Sequence, residues 1–275
     1  MTLLSSILQY QFLQNAVLAG LLASMVCGLM GVIITEKKMV MMSGGIAHTA
    51  YGGIGLGYFL GFEPILGAFF VCALAALGMG FMHRKTQSNP DVLIGLFWSV
   101  GMALGILFIA FTPGYPPDIT SYLFGNILAV GQSDILLMGT LTAIVTLTVA
   151  ALFNQWKSYL FDEEFTSIRG INVVFLEYLL MVLIAMSVVS LIRVVGIILV
   201  LALFTAPPVI ARMFTADLKK LMQVAVLLGA GFCFFGLWIS YELNLASGAS
   251  IVLLAGISYL LASAVCALFR KKTAS

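Results

Sequence analysis

The chain alternates long apolar stretches with short polar segments. A helix that crosses the hydrocarbon core of a bilayer needs roughly 20 mostly apolar residues. Nine stretches meet that length and predict nine transmembrane helices, near residues 13–34, 40–61, 64–82, 91–112, 134–153, 173–192, 195–214, 221–240 and 249–269. The polar segments between them are too short to fold alone. Residues 1–275 are therefore expected to form a single transmembrane domain, an all-α polytopic membrane protein.

The positions of the basic residues predict the orientation of these helices. If all nine stretches cross the membrane, twelve of the thirteen lysines and arginines lie on one side, and Arg193 is the exception. Those twelve are Lys37, Lys38, Arg84, Lys85, Lys157, Arg169, Arg212, Lys219, Lys220, Arg270, Lys271 and Lys272. Basic residues concentrate in cytoplasmic loops. The N-terminus is therefore predicted outside, and the C-terminus in the cytoplasm.

Composition supports the same class of protein. Hydrophobic residues make up 62% of the chain and charged residues only 9%, whereas a soluble domain carries about 25% charged residues. The chain therefore needs membrane lipid around it, and we expect no nucleic-acid partner. It has no phosphate-binding loop, nucleophile elbow or zinc-protease helix, so we expect no enzymatic activity. The four cysteines lie in apolar stretches and are interpreted as core residues, and no resident cofactor is predicted.

The second apolar stretch contains the most unusual chemistry. His48 is the one histidine predicted at membrane depth, where an ionisable residue tends to face the bundle interior or a water-filled path. Gly44 and Gly52 lie four residues to either side and share its helix face, and Ser43 is close by. One interpretation is that His48 offers a ring nitrogen to a passing transition-metal ion. The alternative is a packed histidine hydrogen-bonded to a neighbouring helix, and the absence of a second nearby ligand favours it.

Two consecutive prolines mark the seventh stretch. Pro207 and Pro208 lack backbone donors, which frees the carbonyls of Leu203 and Phe204 and predicts a kink. Freed carbonyls at membrane depth need a polar partner or a watery cavity, and broken helices of this kind often border transport paths. A structural kink repaired by Thr205 and neighbouring helices is the alternative, and the residues do not separate the two.

The segment between the fifth and sixth stretches carries the densest cluster of charge. Asp162 is suited to cap a short helix with Glu163 and Glu164 in its first turn. Gly170, which follows Arg169, is suited to end that helix. A short capped helix on the cytoplasmic face would suit docking of a soluble partner, whereas composition alone favours a solvated loop.

Three smaller features complete the pattern. The apolar run 121–130 is too short to span and is predicted to be an interfacial or re-entrant helix. Ser133 or Asp134 is suited to cap the fifth helix. Glu177 is close to the cytoplasmic N-terminus of the sixth helix, where the helix dipole favours a carboxylate and a structural role.

Four segments together resemble the ABC-3 family, the permease subunits of zinc, manganese and iron ATP-binding cassette importers. They are residues 43–48; 121–130 with 133–135; 161–170; and 195–212 followed by 240–241 and 247–249. The resemblance spans nearly the whole chain, in order. It implies a homodimer of permease subunits around a central path, with separate ATPase subunits beneath and a solute-binding protein that delivers metal from outside.

The resemblance also implies roles for particular residues. The segment 161–170 would be the coupling helix that fits a groove on the ATPase, and His48 would lie near the metal path. The residues expected to border the path are Ser43, Gly44, His48, Gly52, Pro207 and Pro208, and those expected to couple to the ATPase are Asp162, Glu163, Glu164, Arg169 and Gly170.

One position departs from the family pattern. Many members have an aspartate four residues before the histidine, where this chain has Gly44. Either His48 acts with ligands from elsewhere, or binding is weak and transient, or the substrate differs. The inward-facing thioethers of Met41 and Met42 are possible soft ligands, although packing explains them better, so the identity of the metal stays open.

We therefore expect a metal-importer permease in the plasma membrane of a prokaryote, driven by alternating access and a partner ATPase. The alternative is an ion- or proton-coupled secondary transporter with His48 and Glu177 as a relay. Such relays usually need several buried carboxylates, and an odd number of helices does not divide into two equal repeats.

Overall fold

The computed structural model describes residues 9–85, 90–114, 122–123, 125 and 127–273, and within them the chain is helical and contains no strand. A 3₁₀ turn, Ile127–Ala129, precedes the fifth long helix. The helices are α1 (Gln11–Glu36), α2 (Val40–Leu60), α3 (Pro64–Lys85), α4 (Pro90–Phe111), α5 (Gln132–Ala151), α6 (Phe153–Phe161), α7 (Glu163–Ile168), α8 (Val173–Phe214), α9 (Leu218–Leu243) and α10 (Ser247–Thr273).

Eight helical segments in the described part of the chain are long and apolar enough to span a membrane. Two of them, Val173–Ile192 and Val194–Phe214, belong to α8, and the others are α1, α3, α4, α5, α9 and α10. α2 is a 21-residue helix where the sequence predicts one, but it is not among the eight. The glycines and hydroxyl side chains of α2 lower its mean hydropathy. The all-α membrane class is confirmed, while the ninth crossing and the orientation stay predictions.

The bundle is organised around α8, which packs against α1, α2, α3, α9 and α10. α1 contacts both α8 and α9, whereas α2 makes its most extensive contacts with α3 and α4. α1 and both halves of α8 are the most buried spans, and α10 is the most exposed. The glycine-rich α2 is therefore held on two sides, and its position fixes where His48 lies.

The predicted boundary between the sixth and seventh apolar stretches, near residues 193–195, is present as a break inside α8. Within the described backbone of α8, Gly196 alone has non-helical dihedral angles, with φ 78° and ψ 159°. A positive φ is readily adopted only by glycine. The helix continues through Pro207 and Pro208, so the break lies at Gly196 and not at the prolines.

The segment before α5 packs directly against this break. Gly125 has φ 72°, and a Cβ atom there would lie 2.6 Å from the backbone nitrogen of Gly196. Only a glycine therefore allows the two backbones to approach. The described parts of the predicted 121–130 segment are a helical pair at 122–123 and the 3₁₀ turn, whereas Ser121 is outside the described residues.

The carbonyl groups freed by the prolines are not repaired by Thr205. Its hydroxyl donates to the carbonyls of Leu201 and Ala202, at 2.9 and 3.2 Å, which lie before the freed pair. The carbonyl of Phe204 instead faces α1, where a Cβ atom at Gly31 would lie 2.7 Å from its oxygen. The proline-containing half of α8 is thus packed tightly against α1.

Candidate functional site

His48 is buried near the middle of α2. Its Nδ1 atom lies 2.9 Å from the carbonyl oxygen of Gly44, one turn earlier on the same helix. When Nδ1 carries the proton and donates to that carbonyl, Nε2 keeps its lone pair. The imidazole also stacks on the indole of Trp98 from α4, with ring centroids 3.7 Å apart and planes 19° from parallel. The ring is therefore held by its own helix and by α4.

The two glycines that flank His48 have different surroundings. A Cβ atom at Gly52 would lie 2.7 Å from the carbonyl oxygen of Gly101 on α4, so this glycine permits close helix packing. A Cβ atom at Gly44 would lie 3.6 Å from Leu201 and 3.6 Å from Trp98, which is ordinary contact. The face that the sequence predicts to be bare apart from the imidazole is therefore covered by α4 and α8.

A complete metal site is not formed by the part of the chain that the structure describes. It contains no group of three or more His, Cys, Asp or Glu side chains that could hold a metal ion. The hydroxyl of Ser43 donates to the carbonyl of Val40 at 2.7 Å. Met42 is buried, but Met41 is exposed, so the expectation that both thioethers face inward is wrong for Met41. His48 can therefore supply one nitrogen ligand.

The residues predicted to border the path lie in two places. Ser43, Gly44, His48 and Gly52 are all on α2, and Gly44 approaches α8 through Leu201. The prolines lie further along α8, and Pro208 packs against α1. A Cβ atom at Gly31 of α1 would lie 2.8 Å from the Pro208 ring. The structure therefore places α8 beside both groups, and it packs Pro208 against α1.

The short helix predicted after Asp162 is present as α7. The Oδ1 atom of Asp162 accepts hydrogen bonds from the backbone N–H groups of Glu164 and Phe165, at 2.8 and 3.1 Å. Gly170 has φ 77° and follows the last turn, as expected for a residue that ends a helix. The prediction from the acidic segment is thus confirmed at both ends of this helix.

α7 presents an apolar surface to its surroundings. Phe161, just before it, is 88% exposed, and Ile168, at its end, is 84% exposed. Arg169 donates to the hydroxyl of Ser158 on α6 at 3.2 Å. A cleft of about 760 Å³ runs beside the helix, lined in part by Arg169 and Arg212. Exposed apolar side chains beside a cleft that is partly lined by charged residues are suited to contact another protein.

Glu163 and Glu164 differ in their environment although they are neighbours. A carboxylate oxygen of Glu163, Oε1, lies 2.5 Å from Nζ of Lys37, which follows α1. Nζ of Lys37 also lies 3.4 Å from the centroid of the Tyr159 ring on α6. The sequence treats the two glutamates as equivalent, whereas the fold turns Glu163 towards the bundle.

Glu177 has the structural role that the sequence predicts. Its Oε2 atom lies 2.5 Å from Nε of Arg84, and its Oε1 atom lies 3.4 Å from Nδ1 of His83. The carboxylate is buried, so an ion pair with the end of α3 compensates for its desolvation. Both of its oxygens have partners, and this does not favour a proton relay with His48.

Sequence reasoning missed three residues. Trp98 contacts His48, Lys37 contacts Glu163, and Tyr159 contacts Lys37, and each of the three comes from a different helix or connection. In the sequence, Trp98 is one apolar residue among many in its stretch, and Lys37 is one of the twelve basic residues that indicate orientation. Of the three, only Tyr159 could have been identified as a buried residue from the sequence, because α6 has hydrophobic and polar residues on opposite faces.

Comparison with known proteins agrees with this architecture. Residues 9–266 match the model of the ABC 3 transport family. The chain is 44% identical over 257 residues to an uncharacterized membrane protein of Synechocystis, covering 94% of this chain and 92% of that protein. It is 37% identical over 265 residues to the manganese transport system membrane protein MntC of Listeria monocytogenes, covering 95% and 93%.

A solved structure has the same fold. PsaBC from Streptococcus pneumoniae in complex with Fab is similar, with a TM-score of 0.86 and 32% identity over 94% of each chain. The family match covers nearly all of the sequence, and it includes α2, α7 and both halves of α8. The chain belongs to the ABC 3 transport family.

Proposed function

We propose that this chain is the membrane-spanning permease subunit of an ATP-binding cassette importer for divalent transition-metal ions, with manganese as the first candidate. The proposal rests on two findings: the chain belongs to the ABC 3 transport family, and it contains the short, capped helix α7. This helix is capped by Asp162, and Phe161 just before it and Ile168 at its end are exposed near the cleft lined in part by Arg169 and Arg212. The chain is not itself an enzyme in this proposal, because ATP hydrolysis belongs to a partner subunit.

The proposed assembly contains two copies of the permease, ATP-binding cassette subunits on the cytoplasmic side and a metal-delivering solute-binding protein outside. Each permease is a single domain with nine crossings in the plasma membrane of a prokaryote, α2 providing the ninth. ATP binding and hydrolysis would displace α7, and the path would open to one side at a time. A reporter fused after Ser275 should read cytoplasmic, and one inserted at Gly114 should read external; the reverse result would contradict this orientation.

The proposed path passes His48. An ion in hydrocarbon needs polar lining or water, and this chain offers one imidazole on α2 and no aspartate at position 44. A single nitrogen ligand from each chain suits brief contact during passage better than tight storage. In this proposal the chain holds no resident cofactor, and the transported ion is the cargo.

The test is manganese uptake by proteoliposomes that contain the permease, its ATPase subunits and ATP, with the solute-binding protein supplied outside. His48→Ala should lower uptake while leaving the assembled complex intact. His83→Ala is the matched control, because His83 is the second of the two histidines and its side chain is 44% exposed. Normal uptake by His48→Ala would remove this residue from the path.

Uptake measurements also distinguish the importer from the alternative of a secondary transporter. Uptake driven by a pH gradient in vesicles that contain the permease alone would support the alternative. Dependence on the ATPase subunits and ATP would support the importer. The pairing of Glu177 with Arg84 favours the importer, because this carboxylate is already committed to an ion pair.

A further inference from the structure

The connection between α1 and α2 is short and internally bonded. It contains three residues between Glu36, the last residue of α1, and Val40, the first of α2. The backbone N–H of Lys37 donates to the carbonyl of Ile33 at 3.0 Å, and that of Met39 donates to the carbonyl of Ile34 at 2.8 Å. Because the connection is short and hydrogen-bonded, a displacement of Lys37 is expected to move the start of α2 as well.

The side chain of Lys37 is held away from water although it carries a charge. It is only 13% exposed, and Nζ has two partners, the carboxylate of Glu163 and the face of the Tyr159 ring. A partly desolvated ammonium on an aromatic face gains a cation–π attraction in addition to its ion pair. This lysine therefore joins α7 to the end of α1, and its role goes beyond setting orientation.

The Tyr159 ring is itself fixed in place. It is 3% exposed and packs edge-on against Trp156, which is fully buried, with ring centroids 6.2 Å apart. Burial raises the pKa of Tyr159, and the negative charges of Glu163 and Glu177 raise it further. The phenol is therefore neutral at physiological pH, and Lys37 meets a rigid aromatic surface.

The preceding residue forms a contact in another direction. An oxygen of Glu36, Oε1, lies 3.3 Å from Nε of Arg212, near the end of α8. Adjacent residues of opposite charge thus reach two elements, α7 through Lys37 and α8 through Glu36. The start of α2 is positioned relative to both.

We propose that Lys37 is a positioning residue that makes α7 and the start of α2 move together during transport. His48 lies on α2, about two turns after Val40, so a displacement of α7 by the ATPase would reach the imidazole through this contact. The inference rests on the proposed function and adds to it the route by which the docking helix acts on the path. The side chain of the neighbouring Lys38 is exposed and takes no part in the contact with α7.

The test compares Lys37→Met with Lys38→Met in the complete complex, reconstituted with its ATPase and solute-binding protein and supplied with manganese. We expect both variants to assemble. Lys37→Met should lower the manganese transported per ATP hydrolysed about fivefold, since it loses an ion pair and a cation–π contact, and Lys38→Met should match the wild type. An unchanged ratio in Lys37→Met, or an equal loss in both variants, would overturn the proposal.

Two further variants guard against a simple folding defect. Glu163→Gln weakens the same contact from a side chain that is 55% exposed, and it should reproduce the loss. The exchanged pair, Lys37→Glu with Glu163→Lys, restores the ion pair but not the cation–π contact with Tyr159, and it should recover part of the transport ratio. Failure of Glu163→Gln to alter the ratio would show that the ion pair does not carry the coupling.

Hydrogen exchange of the full-length permease in nanodiscs tests the contact without transport. The backbone amides of residues 163–168 should exchange about fivefold faster in Lys37→Met and at the wild-type rate in Lys38→Met. If wild-type complexes move no manganese while this difference is present, the proposed function fails and the contact stands. If the exchange rates do not differ, the inference itself fails.

Discussion

The imidazole of His48 and the indole of Trp98 stack face to face across the contact between α2 and α4, with centroids 3.7 Å apart. Among the residues that the structure describes, the hydrogen-bond partner of the imidazole is the carbonyl of Gly44, on its own helix. The orientation of the ring relative to the rest of the bundle is therefore set by an aromatic neighbour. A proposed metal ligand is thus positioned by a side chain that cannot bind the metal through a lone pair.

This stacking predicts a graded effect of substitutions at Trp98. Trp98→Leu should lower manganese uptake about two- to tenfold, because an aromatic pair contributes about 0.5–1.5 kcal/mol beyond its buried area. Trp98→Phe keeps a ring beside His48 and should retain most of the uptake. Phe97→Leu is the control on the adjacent position. Equal uptake by all three variants would show that the stack has no part in transport.

The glycines on either side of His48 should respond differently to alanine. Gly52→Ala places a methyl group 2.7 Å from the carbonyl oxygen of Gly101, so α2 and α4 must separate at a cost of about 1–3 kcal/mol. Gly44→Ala places the methyl group 3.6 Å from its nearest neighbours and should be tolerated. The midpoint of thermal unfolding of each variant in detergent measures the difference. A tolerated Gly52→Ala would contradict the close packing of these helices.

An aspartate at position 44 should create a stronger metal site. Gly44→Asp would put a carboxylate one turn before His48 on the same helix face, supplying the second ligand that this chain lacks. The unpaired buried carboxylate should lower thermal stability without metal, and manganese should restore it. The double variant Gly44→Asp with His48→Ala is the control and should show a much smaller response. Equal stabilisation of the single and double variants would mean that His48 does not coordinate.

The two glutamates of α7 should have separable functions. Glu164→Lys should weaken copurification with the ATPase about fivefold by reversing a charge on the docking surface, without breaking the Lys37 contact. Glu163→Lys should also disturb the attachment of α7 to α1. Glu242→Lys, at the predicted external end of α9, is the control for charge reversal itself. Copurification of Glu164→Lys at the wild-type level would exclude this residue from the docking surface.

Several elements follow from local sequence alone. Asp162 and Gly170 specify the ends of α7 because an N-cap carboxylate and a glycine with positive φ act within a few residues of the chain. The N-cap of α5 is Gly131 and not Ser133 or Asp134 as predicted, but Asp134 in the first turn accepts a hydrogen bond from the backbone N–H of Gly131 at 3.0 Å. The predicted break after residue 193 is also close to the observed one. Local rules gave no cause for it, which is the positive φ of Gly196 beside Gly125, and the helix continues through the prolines.

What the sequence determined by itself is the class of protein and the positions of its helices, since apolar length, charge and caps are properties of contiguous residues. It did not determine which face of α2 is covered, that Trp98 holds His48, or that Glu163 turns inward to Lys37 while Glu164 does not. Those relationships join residues that are 50 and 126 positions apart. Only the packing of the helices decides them, because many pairings of apolar helices satisfy the same pattern of hydrophobic positions.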